Sequence, residues 1–280
     1  MTAAMAGGRR CGVLGDPIAH SLSPVLHRAG YAELGLDWTY DAHRVPAGGL
    51  AAFVAGLDDS WRGLSLTMPL KREALGLVDR LTDRARLAGA VNTLVLGGPD
   101  NDERVGDNTD LPGAAAAIRE RTDLPLVSAV VLGGGATASS IGLALLDLGV
   151  RTVEVLVRDE SRAAETLDVL RSHTSGAEVR TGVLGASDAV RADIVVSTIP
   201  ADAQTPALLA RCGEVPVVFE ALYDPWPTPL AASASDRTLV GGLDLLVHQA
   251  ALQLDLFTGL RAPLEAMRTA GQRALAGRST

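Results

Sequence analysis

Short apolar runs alternate with amphipathic stretches along most of the chain. Residues 11–15, 38–44, 63–67, 91–96 and 104–106 have the continuous or alternating apolar character of strands. Between them, residues 50–57, 72–81 and 83–89 repeat apolar positions at helical spacing. Ser23-Pro24 opens another helix, with Ser23 as N-cap, Pro24 in the first turn and Gly35 as the stop. This alternation predicts an open, mostly parallel α/β sheet.

A second series begins near Leu111-Pro112-Gly113. A helix at 114–121 leads to a buried strand at 128–132, a triple glycine, a helix at 137–148, a strand at 152–157 and a helix at 161–172. Strands at 194–197 and 217–220 follow, then a short one at 239–240, and helices at 244–258 and 263–276 close the chain. No internal repeat or low-complexity linker interrupts the pattern. Residues 223–229 are rich in proline, but Tyr223 and Trp226 make this an ordered loop rather than a tether.

Composition narrows the function. The chain has 280 residues, 47% hydrophobic and 21% charged, which fits one large or two ordinary globular domains. A net charge of −8 with 3% aromatics excludes a phosphate-tracking or base-stacking nucleic-acid binder. No apolar run approaches the roughly 18 residues of a membrane span, and residues 1–8 lack the apolar centre of a signal peptide. Cys11 and Cys212 are too few for a disulfide framework or a zinc site, so we expect no metal and a reducing, cytoplasmic setting. Lys71 is the single lysine among 25 basic side chains. Arginine serves most ion-pair roles but does not release its proton, so the exception marks a place for a compact, titratable ammonium.

Leu132-Gly133-Gly134-Gly135-Ala136-Thr137-Ala138 reads as strand, glycine turn and helix, with a GxGxxA spacing over Gly133, Gly135 and Ala138. The first glycine makes the turn, the second admits a pyrophosphate, and the third small residue lets helix and strand pack. The helix N-terminus offers amide groups to phosphates. At the end of the next strand, where NAD binders usually place a carboxylate, stands Arg158, with Arg162 one turn on. Two guanidiniums suit a ribose 2′-phosphate and favour NADP over NAD, although neighbouring Asp159 could accept a ribose hydroxyl instead.

Four segments of the first half put polar residues where strands end or begin: Ser21 and Ser23 after the first strand, Thr67 and Lys71 after the third, Asn92, and Asp107 to Asp110. Such loops line ligand crevices in α/β sheets. Hydroxyls, an amide, a lysine and an acid together suit a small polyhydroxylated acid. Ser23 and Asp110 also read as helix caps, whereas Ser21 has no such alternative. The histidines carry no catalytic signal.

Taken in order, these residues resemble the shikimate dehydrogenase family. Gly15 to Pro24 (GDPIAHSLSP) looks like its first motif, and Thr67-Met68-Pro69-Leu70-Lys71 is similar to its lysine motif. Ala88 to Thr93 (AGAVNT), Gly106 to Asp110 (GDNTD), the loop at Tyr223 and the run Leu246 to Ala251 (LVHQAA) resemble the rest. The resemblance implies a discontinuous substrate domain, an open mixed α/β fold over 1–110 and 243–280. It also implies a doubly wound, Rossmann-like NADP domain over 111–242, with the active site in the cleft. It implies Lys71 and Asp110 as the catalytic pair, and substrate contacts from Ser21, Ser23, Thr67, Asn92, Tyr223 and Gln249. Gly133, Gly134, Gly135, Ala136, Arg158, Arg162, Thr198 and Gly242 are the expected cofactor contacts. The implied reaction is reversible NADPH-dependent reduction of 3-dehydroshikimate to shikimate by a monomer or homodimer without nucleic-acid or membrane partners. An NAD-linked quinate/shikimate dehydrogenase and a non-catalytic sensor are the alternatives. Ser65, Val157, Ala138 and Asp244 depart from the usual asparagine, asparagine, glycine and glycine of the family.

Overall fold

The computed structural model describes residues 8–97 and 103–278, apart from the side chain of Arg162. The chain divides into two compact units, one running to Thr109 and resuming at Gln249, the other Asp110–His248. Among the described residues no helix is long and apolar enough to cross a membrane.

The first unit contains β1 (Arg10–Gly15), α1 (Ser23–Glu33), β2 (Thr39–Arg44), α2 (Leu50–Ala55), β3 (Trp61–Leu66), β4 (Arg80–Leu81), α3 (Asp83–Ala88), β5 (Thr93–Val95) and β6 (Val105–Asp107). Its sheet has the order β2-β1-β3-β5-β6-β4. Leu14, Leu64, Leu66, Leu70, Val91 and Leu94 pack into one apolar core, which is why these strands are continuously apolar. β1 pairs in parallel with β2 and β3, and β4 with β6, but β5 runs antiparallel to both its neighbours. Thr93, at the start of β5, therefore lies opposite Ser65 near the end of β3 and opposite Asp107 at the end of β6.

Two local expectations are corrected. Ser23 is not the N-cap of α1: Leu22 holds that position, and Ser23 N donates instead to Ser21 Oγ at 3.3 Å. The hydroxyl that looked free of local duty is thus the one that closes the turn. Residues 72–81 form no α-helix but a 3₁₀ turn, Glu73–Gly76, followed by β4. Tertiary bonds override the local periodicity here. The Glu73 carboxylate accepts from Gly48 N and Leu50 N, both at 2.9 Å, at the start of α2. Asp79 N donates to Arg104 O at 2.9 Å beside β6.

The second unit holds α4 (Asp110–Arg121), β7 (Ser128–Leu132), α5 (Ala136–Asp147), β8 (Thr152–Val157), α6 (Ala164–Arg171), β9 (Glu178–Val183), β10 (Ile194–Ser197), α7 (Pro206–Arg211), β11 (Val217–Glu220), α8 (Pro229–Ala232), β12 (Thr238–Val240) and the start of α9 (Gly242–Thr258). All six strands are parallel, in the order β12-β11-β10-β7-β8-β9. The order reverses between β7 and β10, the switch point at which doubly wound sheets open a crevice. A 3₁₀ turn, Glu160–Ala163, precedes α6, where one continuous helix was expected. From Gln249 onward α9 belongs to the first unit, as does α10 (Leu264–Ala276).

Asp107 is a buried charge with every local partner in place. Its carboxylate accepts from Arg84 Nε and Nη2, from Thr82 Oγ1 at 2.6 Å and from Asn108 N at 2.7 Å. Burial alone would raise its pKa, but the Arg84 and Thr82 hydrogen bonds outweigh burial and hold it below the ordinary 3.8. A depressed folded pKa stabilises the fold above about pH 4, and that contribution is lost as pH falls through the folded value. Arg84→Met is expected to cost about 2–3 kcal/mol near neutrality, somewhat less than breaking a fully buried pair because Thr82 and Asn108 remain. Urea melts should show this deficit narrowing below pH 4, where the stranded carboxyl protonates.

Candidate active site

The reversed β5 gathers four polar segments at one edge of the first sheet. Leu66 N donates to Asn92 O at 2.7 Å, Val91 N to Lys71 O at 2.8 Å, and Asn92 N to Asp107 O at 3.0 Å. The loop after β1 joins them, since Asp16 N donates to Met68 O at 3.0 Å and Thr67 N to Leu14 O at 2.9 Å. The approach is so close that a Cβ on Gly15 would lie 2.4 Å from Thr67 Cγ2 and 2.9 Å from Met68 O, so only glycine fits there.

Asn92, 1% exposed, is the hub of this edge. Its Oδ1 accepts from Thr109 N and Thr93 Oγ1, both at 2.7 Å, and its Nδ2 donates to Thr109 Oγ1 at 2.9 Å and Gln249 Oε1 at 3.4 Å. Ser23 is buried; Ser21, Thr67 and Lys71 are half-buried. The first unit thus contains Ser21, Ser23, Thr67, Lys71, Asn92 and Gln249. Asp110 and Tyr223 belong to the second unit. Asp110 is the buried first residue of α4 and follows directly on Thr109, whose amide Asn92 holds. Tyr223 is half-buried in the loop after β11. That loop is anchored by the buried Glu220 carboxylate, which accepts from Leu222 N at 3.0 Å, Thr228 Oγ1 at 2.8 Å and Gln204 Nε2 at 2.7 Å. Burial raises the Glu220 pKa, and these donors only partly offset it.

The glycine loop of the second unit sits at the switch point. Gly133 has φ +107°, a left-handed conformation, and a Cβ there would lie 2.4 Å from Thr198 Oγ1. Thr198, just past β10, donates through N and Oγ1 to Leu132 O at 3.0 and 2.9 Å, which knits the β7 and β10 ends together. Gly134 O accepts from Thr166 Oγ1 of α6 at 2.9 Å. Gly135 is the N-cap of α5, and a Cβ on it would meet nothing within 4 Å. Ala136 opens the helix, and Ala138 is fully buried against the sheet. Open space beside Gly135 at the start of a helix fits a pyrophosphate.

Arg158 is exposed just past β8. Asp159 is engaged locally, its Oδ1 accepting from Ser161 N at 3.0 Å and Ser161 Oγ at 2.8 Å. The Arg162 side chain lies outside the described residues. Gly242 is the buried first residue of α9.

Several residues of the site escaped the sequence reading. Gln253 lies one helical turn beyond Gln249 in an otherwise apolar run and is buried, as are Tyr40, Thr93 and Thr109. That isolated polar position was the available signal. His27 is fully buried, and burial pushes its pKa down to about 3. Its ring stacks on Tyr40 with centroids 4.0 Å apart.

A family model for the shikimate dehydrogenase substrate binding domain matches residues 13–94, and one for the shikimate 5′-dehydrogenase C-terminal domain matches residues 242–270. A curated shikimate dehydrogenase (NADP(+)) of Geobacter metallireducens is 34% identical over 93% of this chain and 94% of its own. The chain belongs to the shikimate dehydrogenase family. The crystal structure of shikimate dehydrogenase from Mycobacterium tuberculosis is 40% identical, with a TM-score of 0.84 over 95% of this chain and 99% of that one. A Thermus thermophilus shikimate 5-dehydrogenase solved in complex with NADP(H) and shikimate is 29% identical, with a TM-score of 0.80 over 95% and 99% of the two chains.

The departures from the shikimate dehydrogenase pattern have local physical accounts. Asp244 forms a two-point ion pair with Arg121, Oδ1 to Nη2 at 2.6 Å and Oδ2 to Nε at 3.1 Å, and accepts from Gly241 N at 2.9 Å. Ser65 is buried between Tyr40 and Gln253. Val157 closes β8 as part of the core, and Ala138 is fully buried.

Gly133→Ala is expected to destabilise the fold by about 1–3 kcal/mol from its positive φ alone, plus the clash with Thr198. In thermal melts, adding Thr198→Ala should recover only the clash.

Proposed function

We propose that this protein catalyses the reversible NADPH-dependent reduction of 3-dehydroshikimate to shikimate, with Lys71 and Asp110 as the catalytic pair. The observation that carries this reading is the single lysine, whose main-chain oxygen accepts from Val91 N beside Asn92, within the matched substrate-binding segment. In this reading the first unit binds shikimate through Ser21, Ser23, Thr67, Asn92 and Gln249, with Tyr223 contributed by the second. The second unit binds NADP through Gly133, Gly134, Gly135, Ala136, Arg158, Arg162, Thr198 and Gly242. Its fit to a dinucleotide rests on the space above Gly135 and the start of α5.

When bound, the nicotinamide supplies the hydride in reduction and accepts it in oxidation. As the ring ketone's carbon gains hydrogen, the C=O electron pair moves onto oxygen, which must be stabilised and protonated. The Lys71 ammonium does both, and Asp110 orients the amine and relays a proton from solvent back to it. In oxidation the amine takes the hydroxyl proton back. Arginine offers charge without a transferable proton, so the position demands lysine. Arg158, with Asp159 tied to Ser161, provides the charge for a 2′-phosphate and thereby a preference for NADP. Two free buried thiols suit a reducing cytoplasm, for the protein as a monomer or homodimer.

Steady-state turnover of shikimate and quinate with NADP and NAD tests the reading, and failure to turn over shikimate with either cofactor overturns it. Lys71→Ala and Lys71→Arg should each lower kcat by about 10²–10⁴-fold, with NADP affinity by calorimetry unchanged. A Lys71→Arg enzyme at near-normal turnover sinks the proton-transfer role. Arg158→Ala should raise the KM for NADP about ten-fold or more while leaving that for NAD within about two-fold.

A further inference from the structure

Behind Asn92 runs a buried hydrogen-bond chain that the proposed mechanism leaves unused. Tyr40 Oη donates to Ser65 Oγ at 2.5 Å, and Ser65 Oγ donates to Gln253 Oε1 at 2.7 Å. Gln253 Nε2 donates to Thr93 Oγ1 at 3.0 Å and to the Asn92 main-chain oxygen at 3.2 Å. Thr93 Oγ1 passes its proton to Asn92 Oδ1 at 2.7 Å.

The chain has one direction. A side-chain amide can normally turn end for end, exchanging donor and acceptor. Here a main-chain group pins each amide, and main-chain groups do not reverse. The Asn92 carbonyl accepts only, so the NH₂ of Gln253 must face it, and its oxygen must face Ser65. The Thr109 N–H donates only, so Asn92 Oδ1 must face it. Thr93 stands between the two amides, accepting from Gln253 and giving its single proton to Asn92. Asn92 Nδ2 is then turned toward Gln249 Oε1, 3.4 Å away, a long bond that an incoming oxygen would readily replace. Gln253 itself is 1% exposed and acts only through its neighbours.

We propose that Gln253 is a positioning residue for substrate recognition: acting through Thr93, it holds Asn92 so that the edge facing Gln249 presents an N–H donor to an oxygen of the substrate. This inference rests on the functional reading above. It makes Ser65 and Gln253 two parts of one device, the serine supplying the proton that keeps the Gln253 oxygen turned away from Thr93.

The test is kinetic. Gln253→Met keeps the volume and removes the hydrogen bonds; Thr93→Val breaks the chain at the next link. Each is expected to raise the KM for shikimate about ten-fold, the size of one lost oriented hydrogen bond, with kcat and the KM for NADP within about three-fold. The double variant should be no worse than either single one, because both cut the same chain. Thr93→Ser keeps the hydroxyl and should bring the shikimate KM back to within about three-fold of the parent. A folded Gln253→Met or Thr93→Val enzyme with an unchanged shikimate KM overturns the proposal, as do additive defects or a loss confined to kcat. Should Gln253→Met fail to fold, the Thr93→Val and Thr93→Ser pair decides by the same criterion. Parent enzyme without shikimate turnover overturns the functional reading and this inference with it; an active parent with indifferent variants overturns this inference alone.

Discussion

The antiparallel course of β5 is the constraint on which the first unit's chemistry depends. In an all-parallel sheet the residue before a strand lies at the opposite edge from the residues after its neighbours. With β5 reversed, Asn92 stands beside the ends of β3 and β6, and its main chain bridges them, its oxygen accepting from Leu66 N and its N–H donating to Asp107 O. The reversal also explains why so short a strand is tolerated. Thr93–Val95 is held on both sides, by β3 and β6, and Asn92 adds side-chain bonds where the ladder ends. Gly15 completes the arrangement by letting the loop after β1 lie directly on Thr67 and Met68.

The second unit solves a different problem with parallel strands alone. Its polar edge arises from topology, because the chain leaves β7 in one direction and returns to β10 on the other side. Gly133 and Thr198 stand on the two sides of that divide. The threonine takes up the space a β-carbon would fill, while its hydroxyl caps the carbonyl at the end of β7. The glycine loop is therefore fitted to the neighbouring strand as well as open to a phosphate.

The elements legible in the sequence were those whose own residues decide them. The strands 128–132, 152–157, 194–197 and 217–220 match the observed β7, β8, β10 and β11 residue for residue, because burial of most of their positions (in β8, all but Thr152 and Glu154) leaves a clear apolar run. β9 escaped because Glu178–Val183 is half-exposed and mixed in character at the edge of its sheet. Residues 72–81 misled because Glu73 and Asp79 are spent on partners far along the chain, Leu50 and Arg104, which no local periodicity reveals. At the site, the motif positions could be named from the sequence, but not the side chains behind them. Tyr40, Ser65, Thr93 and Gln253 come from four separate elements, and only the folded sheet makes them neighbours.

The two acids of Gly106-Asp107-Asn108-Thr109-Asp110 are positioned in different ways. Asp107 is tightly held: a guanidinium, a hydroxyl and a main-chain amide bond its oxygens and keep it ionised. A carboxylate so bound serves to lock β6 to α3. Asp110 comes after the segment has been fixed twice, by Asp107 at one end and by Asn92 on Thr109 at the other. Asp110 thus opens α4 from a main chain already fixed through the preceding residues. The ion pairs of the second unit follow the same pattern, with Arg121 on Asp244, a fixed charge that is not released as a proton.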